Sequence, residues 1–250
     1  MFKCPRRPGY PGDENHGPDW TLPFVDRNQA GCLLGQAVAA SLGKLPVKEG
    51  GSPPEGASGA IAASQPPLVL GIPRGGVVVA ARVAEAIGGE LDVVISRKVG
   101  APRNPELAIG AVTPDGIALW NRRLLEDLRL DEESLAPLVE AEVKEISRRL
   151  SQYRSRPRPP QLSGRVLILV DDGLATGFTA LAALRYLARQ QPTRLLLAIP
   201  VAPGETVDFL RGEVDELICL ATPEPFYAVG QFYRHFPQVT DAEVIQLLQR

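Results

Sequence analysis

The chain has 250 residues, of which 44% are hydrophobic and 22% are charged, a composition typical of a soluble globular protein with a substantial core. The formal net charge of −2 gives no electrostatic indication of a nucleic-acid or membrane partner. The three cysteines lie far apart and outside any metal-binding spacing, and no apolar run reaches the length of a membrane span. These features predict reduced thiols in a cytoplasmic protein.

The N-terminal quarter of the chain alternates between irregular and helical patterns. Residues 1–23 are rich in proline and glycine and predict a poorly ordered tail. A helix then begins near Asp26, a suitable N-cap residue, and its apolar face continues to Gly43. For Asp26 and Arg27 we prefer this capping role to a contact with ligand. Residues 45–67, rich in Gly, Pro, Ser and Ala, predict a flexible surface loop.

A buried strand over 68–72 leads into the loop PRGG at 73–76, and a helix over 77–87 follows. The glycines of this loop permit unusual dihedral angles and a close approach of backbone to ligand. The planar guanidinium of Arg74 suits a diphosphate. The alternative is an ordinary turn with an exposed arginine.

A strand over 91–95 is followed by basic residues and then by residues 99–106, whose glycine and prolines predict a mobile loop. Basic side chains beside a phosphate site would neutralise negative charge on a leaving diphosphate. Arg97, Lys98 and Arg103 are the candidates. The alternative, solvated surface charge, weighs most for Arg103.

The middle of the chain carries no motif. Residues 107–120 predict a short strand pair around a turn, and Asn121 caps a short helix. A long helix runs from about 131 to 153, and residues 156–160, RPRPP, form an extended linker.

Residues 166–179, VLILVDDGLATGFT, are the most informative stretch. Its five aliphatic residues predict a strand buried on both faces of a parallel sheet, and the leucine spacing after the loop predicts a helix packed on that sheet. The loop between them begins with Asp171 and Asp172. It therefore follows the carboxyl end of a parallel strand, where open α/β sheets bind ligands.

The residues of this loop suit a sugar phosphate. The first N–H groups of a helix lack partners within the helix, and the small residues Thr176, Gly177 and Thr179 would let a phosphate approach them. The carboxylates of Asp171 and Asp172 repel each other and any anion unless they hold hydroxyl groups or a hard cation such as Mg²⁺. A ribose 5-phosphate satisfies both halves of the loop.

The stretch resembles the signature loop of the type I phosphoribosyltransferases, which bind 5-phosphoribosyl-1-diphosphate. More narrowly, the strings GIPRGGVVVA, RKVGAP, NPELAIGAV and VDDGLATG resemble bacterial predicted phosphoribosyltransferases of undefined acceptor. Gly173 departs from the family, which usually has an aliphatic residue there. Ala175 stands where hypoxanthine-guanine enzymes have an aspartate, and adenine enzymes share the alanine. The alternative is an ordinary buried strand with acids at its end.

The resemblance implies a type I phosphoribosyltransferase fold, which is a parallel α/β sheet flanked by helices with a small C-terminal hood. The core would cover 24–221 and the hood 222–250. In the family, the two acids hold the ribose hydroxyls, and here they are also our candidates for Mg²⁺. The residues that would wrap the 5-phosphate are Thr176, Gly177 and Thr179, and Ala175 is a further substrate-binding candidate, at the position where some family members act on the base.

The resemblance also assigns the other loops. The family binds diphosphate in the loop after its first core strand, often through a non-proline cis peptide, and Arg74 and Gly75 match that loop. A flexible family loop that closes over the active site corresponds to the region of Arg97 and Lys98. These basic residues are the catalytic candidates.

Strands over 193–201 and 214–220, with a helix between them, complete the predicted sheet. The following segment is rich in aromatic residues, which can stack on a planar base. The family hood supplies base contacts, so Phe226 and Tyr227 are the candidates, and Tyr233 is a weaker one. A small aromatic core is an equally good interpretation. A last helix begins at Asp241.

The resemblance thus implies a pentosyltransferase, suited to nucleotide salvage, that moves ribose 5-phosphate from phosphoribosyl diphosphate to a nitrogen of a nucleobase-like acceptor and releases diphosphate. The alternative is a non-catalytic regulatory module that binds phosphoribosyl diphosphate or a nucleotide. The set of Arg74, Arg97 and Lys98 favours the enzyme, because a sensor of the 5-phosphate alone would not need it. The expected partners are small molecules, a homodimer is allowed, and the acceptor is left open.

Overall fold

Strands and helices alternate through most of the structure, a computed structural model that describes residues 21–43, 65–154 and 160–249. Most of the predicted N-terminal tail and of the predicted 45–67 loop lies outside the described residues. The helices are α1 (Arg27–Gly43), α2 (Gly75–Ile87), α3 (Arg122–Leu128), α4 (Ala136–Tyr153), α5 (Phe178–Arg189), α6 (Gly204–Arg211) and α7 (Asp241–Leu248). The strands are β1 (Leu68–Gly71), β2 (Glu90–Val93), β3 (Arg97–Ala101), β4 (Asn104–Val112), β5 (Ala118–Trp120), β6 (Val166–Val170), β7 (Arg194–Val201) and β8 (Glu216–Ala221).

Five strands form one parallel sheet in the order β2-β1-β6-β7-β8. Each neighbouring pair runs parallel, so the carboxyl ends of all five strands lie along one edge. The predicted parallel sheet flanked by helices is confirmed. The edge places the loops after β1 and β6 side by side, because these two strands are neighbours.

The sheet is buried on both faces because successive side chains of a strand point in opposite directions. In β6, Leu167 and Leu169 belong to a core that includes residues of α5 and α6. Ile168 and Val170 belong to a second core with residues of α1 and α2. All four side chains are fully buried. The aliphatic run that precedes the two acids is uninterrupted because each face of the strand packs into its own core.

A second, antiparallel sheet of β3, β4 and β5 follows β2 in the chain. Its first pairing extends from Arg97 with Val112 to Ala101 with Asn104, so residues 99–106 form a hairpin rather than the irregular loop that the sequence predicted. Buried Val99 and Ala101 pack into a core with α4 and α7, which holds these strands in place despite the glycine and prolines. The predicted strand pair over 107–120 is confirmed.

Two local expectations need correction. Helix α4 begins at Ala136 rather than near 131, because Asp131 Oδ1 accepts a hydrogen bond from Ser134 N at 2.8 Å and forms a turn before the helix. Cys32 is disulfide-bonded, so the expectation of a reduced thiol is wrong there. Cys219 is a free thiol, whose pKa burial raises to about 11. Within the described ranges, no helix has the length and apolar character needed to cross a membrane.

The hood docks on the segment that precedes α1. Phe24 N donates to Phe232 O at 2.8 Å, and Arg234 N donates to Phe24 O at 2.8 Å. The ring of Phe24 lies 5.4 Å from that of Tyr233, centroid to centroid. These contacts bring the two ends of the described chain together beside the carboxyl edge of the sheet, since Tyr233 also contacts the loop after β6.

Candidate active site

Two loops meet at the carboxyl edge of the sheet: the glycine loop, residues 73–76, and the acidic loop, residues 171–179. A Cβ atom added to Gly75 would overlap Asp172 Oδ2, and one added to Gly76 would lie 2.8 Å from Asp171 Oδ1. Only glycine therefore lets the backbone of the first loop lie against both carboxylates. The peptide bond between Pro73 and Arg74 is cis, a feature that the resemblance implied for this loop.

Each of the two acids uses one carboxylate oxygen within the protein. Asp171 Oδ1 accepts a hydrogen bond from Asp172 N at 2.8 Å, and Asp172 Oδ2 accepts one from Arg27 Nε at 2.7 Å. Among the described residues, no N–H group donates to Asp171 Oδ2 or Asp172 Oδ1. These two oxygens are therefore the candidates for contact with a ligand.

The electrostatic state of Asp171 is unusual. Desolvation is the main cause that raises its pKa well above the ordinary value, and the negative charge of neighbouring Asp172 adds to it. Within the described chain Asp171 has no ion pair, whereas Asp172 is paired with Arg27. A cation or a pair of hydroxyl donors at Asp171 would relieve the cost of its charge.

Arg27 is a part of this site that the sequence did not reveal. Its side chain is 9% exposed; besides Asp172, it donates from Nη1 to Pro237 O at 2.8 Å and stacks on the ring of Phe236, with Cζ 3.7 Å from the centroid. The predicted cap at Asp26 is confirmed, since Asp26 Oδ1 accepts from Gln29 N at 2.8 Å. Sequence patterns place Arg27 only at this helix start, because its partners lie 145 and 210 residues away.

The acidic loop has two positions that require glycine. Gly173 has φ of +150°, and an added Cβ would lie 2.6 Å from Val229 Cγ1 of the hood, which explains its departure from the family pattern. Gly177, with φ of +69°, precedes α5, and its Cβ would lie 2.9 Å from Thr206 Cγ2. The loop therefore fits tightly between α5, the hood and α6.

The first turn of α5 has no side-chain cap, so its N–H groups remain available to an anion. The turn is braced from two sides. Thr206 Oγ1 of α6 donates to Ala175 O at 2.6 Å, and Ser96 Oγ, which precedes β3, donates to Thr179 O at 2.8 Å. Ala175 and Thr176 are exposed. The loop is thus rigidly held while its outer surface faces solvent.

The predicted basic residues have different surroundings. Arg74 lies in the glycine loop, with Nη1 3.8 Å from Asp241 Oδ1 at the start of α7. Arg97 forms an ion pair with Glu142 of α4, so the structure ties it to a neighbouring helix. Lys98 and Arg103 are exposed on the hairpin. Of this set, Arg74 adjoins Gly75, whose backbone lies against Asp172.

The aromatic candidates also differ in their surroundings: two of them pack within the hood, and one is exposed. The ring of Phe226 packs on that of Phe232 with centroids 4.7 Å apart, and Tyr233 is 6% exposed. Both belong to the small aromatic core of the hood, the alternative that the sequence allowed. Tyr227 is 84% exposed, so of the three candidates it is the most accessible to a ligand.

The chain is similar in sequence to known proteins. A family model described as "Phosphoribosyl transferase domain" matches residues 57–234. Two proteins of Mycobacterium tuberculosis, "Putative phosphoribosyl transferase MT0597" of strain CDC 1551 / Oshkosh and "Putative phosphoribosyl transferase Rv0571c" of strain ATCC 25618 / H37Rv, are each 39% identical over 228 residues. The match covers 91% of this chain and 46% of each relative, so the chain spans about half their length.

A solved structure is similar over nearly the whole of both chains. The crystal structure of TT1426 from Thermus thermophilus superposes with a TM-score of 0.70 at 38% sequence identity. The superposition covers 91% of this chain and 98% of that one. This chain and TT1426 are therefore similar in both sequence and fold.

Proposed function

The chain belongs to the phosphoribosyl transferase domain family, and we propose that it transfers ribose 5-phosphate from 5-phosphoribosyl-1-diphosphate to a nitrogen of a nucleobase-like acceptor. In this reaction the bond between ribose C1 and the diphosphate oxygen breaks, and its electron pair leaves with the diphosphate. A bond forms between C1 and the acceptor nitrogen, which loses a proton if it carries one.

The observation that carries the proposal is the pair of available oxygens, Asp171 Oδ2 and Asp172 Oδ1, beside the uncapped first turn of α5. A vicinal diol has two O–H donors that match two carboxylate oxygens on adjacent residues. A phosphate on the same ribose would reach the N–H groups of α5 and the hydroxyls of Thr176 and Thr179. A ligand with a diol and a phosphate is thus bound at both ends.

The same oxygens suit Mg²⁺. This cation prefers oxygen ligands and is commonly held by one or two carboxylates together with substrate phosphates and water. The described residues contain no cluster of three or more metal-binding side chains. Asp171 and Asp172 would hold it, and when bound it would supply positive charge to the leaving diphosphate.

Arg74 and the backbone at Gly75 are assigned to the diphosphate, with Arg97 and Lys98 on the adjoining hairpin. The barrier is lowered by orientation of substrate and by charge placed where negative charge develops, so no nucleophilic side chain is needed. To contribute to the reaction, Arg97 must leave its ion pair with Glu142 and bind the diphosphate instead. Arg74 keeps only a distant contact with Asp241 at 3.8 Å and is the stronger candidate.

The acceptor is proposed to lie against the hood. Tyr227 is exposed and planar, so it can stack on a base. Phe226 borders it in sequence but is already packed on Phe232, so we assign it a supporting contact. Ala175 adds no charged group beside the base, which favours an acceptor that needs no carboxylate there.

The test is incubation of the full chain with phosphoribosyl diphosphate, Mg²⁺ and a panel of purine, pyrimidine and pyridine bases, with diphosphate and nucleotide products detected by mass spectrometry. The expected result is base-dependent release of diphosphate with formation of one ribonucleotide. The Asp171→Asn/Asp172→Asn double variant is the control and should give none. Tight binding of phosphoribosyl diphosphate without turnover on any base would instead support the regulatory module.

A further inference from the structure

Asp172 is held at two separate points, by Arg27 of α1, which the hood supports, and by Tyr233 of the hood. Arg27 Nε donates to Asp172 Oδ2 at 2.7 Å, and the guanidinium is itself fixed by Pro237 O at 2.8 Å and by the ring of Phe236. Tyr233 Oη donates to the main-chain carbonyl of Asp172 at 2.6 Å. One contact fixes the side chain of Asp172, and the other fixes its backbone.

These contacts leave Asp172 a single orientation. Oδ2 lies between Arg27 and the backbone of Gly75, where even a Cβ atom would overlap it. A ligand therefore has no room at Oδ2, and only Oδ1 can meet it. If Arg27 were absent, the carboxylate would be free to rotate and Oδ2 would lie buried without its cation.

The two hood aromatics form one unit. The rings of Tyr233 and Phe236 stack with centroids 4.8 Å apart and planes at 29°, so the residue that holds the backbone of Asp172 also supports the ring under Arg27. The side chains of Arg27 and Tyr233 are almost fully buried. Because of this burial, the contact with Asp172 is the route by which each of them can influence the site.

We propose that Arg27 and Tyr233 are positioning residues that aim Asp172 Oδ1 at the ribose, so that recognition of the sugar depends on the docked hood. The proposal rests on the proposed function, since it deepens the role of one acid in that site. It assigns a task to the hood besides contact with the acceptor.

The test compares two probes, ribose 5-phosphate and inorganic phosphate, by isothermal titration calorimetry with Mg²⁺ present. The ratio of their dissociation constants reports the sugar contacts, because the phosphate contacts are common to both. We expect the unmodified chain to prefer ribose 5-phosphate by at least about tenfold, the effect of a hydrogen bond to a charged group. Arg27→Gln should reduce this preference to within about threefold, and Tyr233→Phe should reduce it partly.

The matched control is Arg154→Gln. Arg154 likewise binds one carboxylate and one carbonyl, Asp92 Oδ1 at 3.1 Å and Val93 O at 3.2 Å, but neither partner belongs to the site. It should keep the full preference for ribose 5-phosphate. In addition, the Asp172→Asn/Arg27→Gln double variant should lose no more of the preference for ribose 5-phosphate than the more affected of the two single variants. The reason is that both substitutions remove the same interaction.

The outcomes separate the two proposals. If the unmodified chain binds both probes equally, the ribose site itself is wrong. If it prefers ribose 5-phosphate and Arg27→Gln keeps that preference, or the two changes are additive, the positioning role is overturned while the proposed function stands. Circular dichroism checks folding. Should Arg27→Gln not fold, Tyr233→Phe decides, since it removes a single oxygen atom, and an unchanged ratio there overturns the proposal.

Discussion

Replacing each acid with asparagine should change the stability of the unliganded protein in opposite directions. The pKa of Asp171 is raised in the folded chain, mainly by desolvation and then by Asp172, so its charge destabilises the fold at neutral pH. Asp172 instead forms the buried pair with Arg27. Asp171→Asn should therefore stabilise the chain, and Asp172→Asn should destabilise it.

The size of the stability gain from Asp171→Asn depends on pH. A raised pKa means that the folded state binds protons more tightly than the unfolded state, so stability falls as pH rises from the ordinary carboxyl pKa, near ~4, to the folded pKa. The gain from Asp171→Asn should be small below pH ~4 and should grow above it. A difference of one in pKa between the folded and unfolded states corresponds to about 1.4 kcal/mol in the free energy of unfolding. For a chain of this size, each kcal/mol changes Tm by roughly 2–4 °C.

The magnitude for Asp172 follows from its partner. Asparagine keeps an oxygen that Arg27 can use, but the guanidinium, with 9% of its side chain exposed, loses its counter-charge. The expected cost is about 1–3 kcal/mol. The assay is thermal unfolding of the unmodified chain and both variants from about pH 4 to about pH 8 in buffers without phosphate or Mg²⁺. A Tm for Asp171→Asn at the upper end of this range that equals or falls below that of the unmodified chain would refute the reasoning.

Two further predictions concern binding and turnover. Gly75→Ala should weaken phosphoribosyl diphosphate binding at least about tenfold by displacing Asp172. Gly43→Ala, with nothing within 4 Å of the new Cβ, should leave affinity unchanged in calorimetry. Arg74→Ala and Lys98→Ala should lower the single-turnover rate more than substrate affinity, since diphosphate charge grows in the transition state, whereas Thr179→Val should weaken substrate and nucleotide product alike. Equal losses in rate and affinity for Arg74→Ala would contradict its assignment.

The sequence predicted the parts of the site that local patterns determine. The aliphatic run of β6, the acids at its end and the start of α5 follow from burial on two faces and from the chemistry of a helix N-terminus, and the structure has β6 over Val166–Val170 and α5 from Phe178. The glycine loop was also predicted from a local pattern, because two glycines after a buried strand indicate a close approach of the backbone to a ligand or to another segment. Strand pairing between β1 and β6 then brings the two loops together.

The sequence could not predict contacts between distant segments. Nothing around Arg27 indicates a carboxylate 145 residues away, and a helix start explained it adequately. The hairpin over 99–106 was missed because its glycine and prolines resemble a loop. Gly100 in fact permits contact with the backbone of Pro105 across the hairpin, and buried Val99 and Ala101 supply the packing that a loop would lack.

The two acids differ because Arg27 is hydrogen-bonded to Asp172 but offsets the raised pKa of Asp171 only in small part. Arg27 neutralises Asp172, and the hood holds it in place. The energetic cost of burying its charge is therefore offset within the protein, and its geometry is fixed before a ligand binds. Asp171 has no ion pair in the described chain, so its charge remains unfavourable until a ligand brings donors or a cation. Part of the binding free energy of such a ligand must relieve this cost. In the proposed function, the site would combine one preset contact, at Asp172, with one at Asp171 that gains strength on binding, so that affinity for the ribose would be linked to the cation that accompanies the diphosphate.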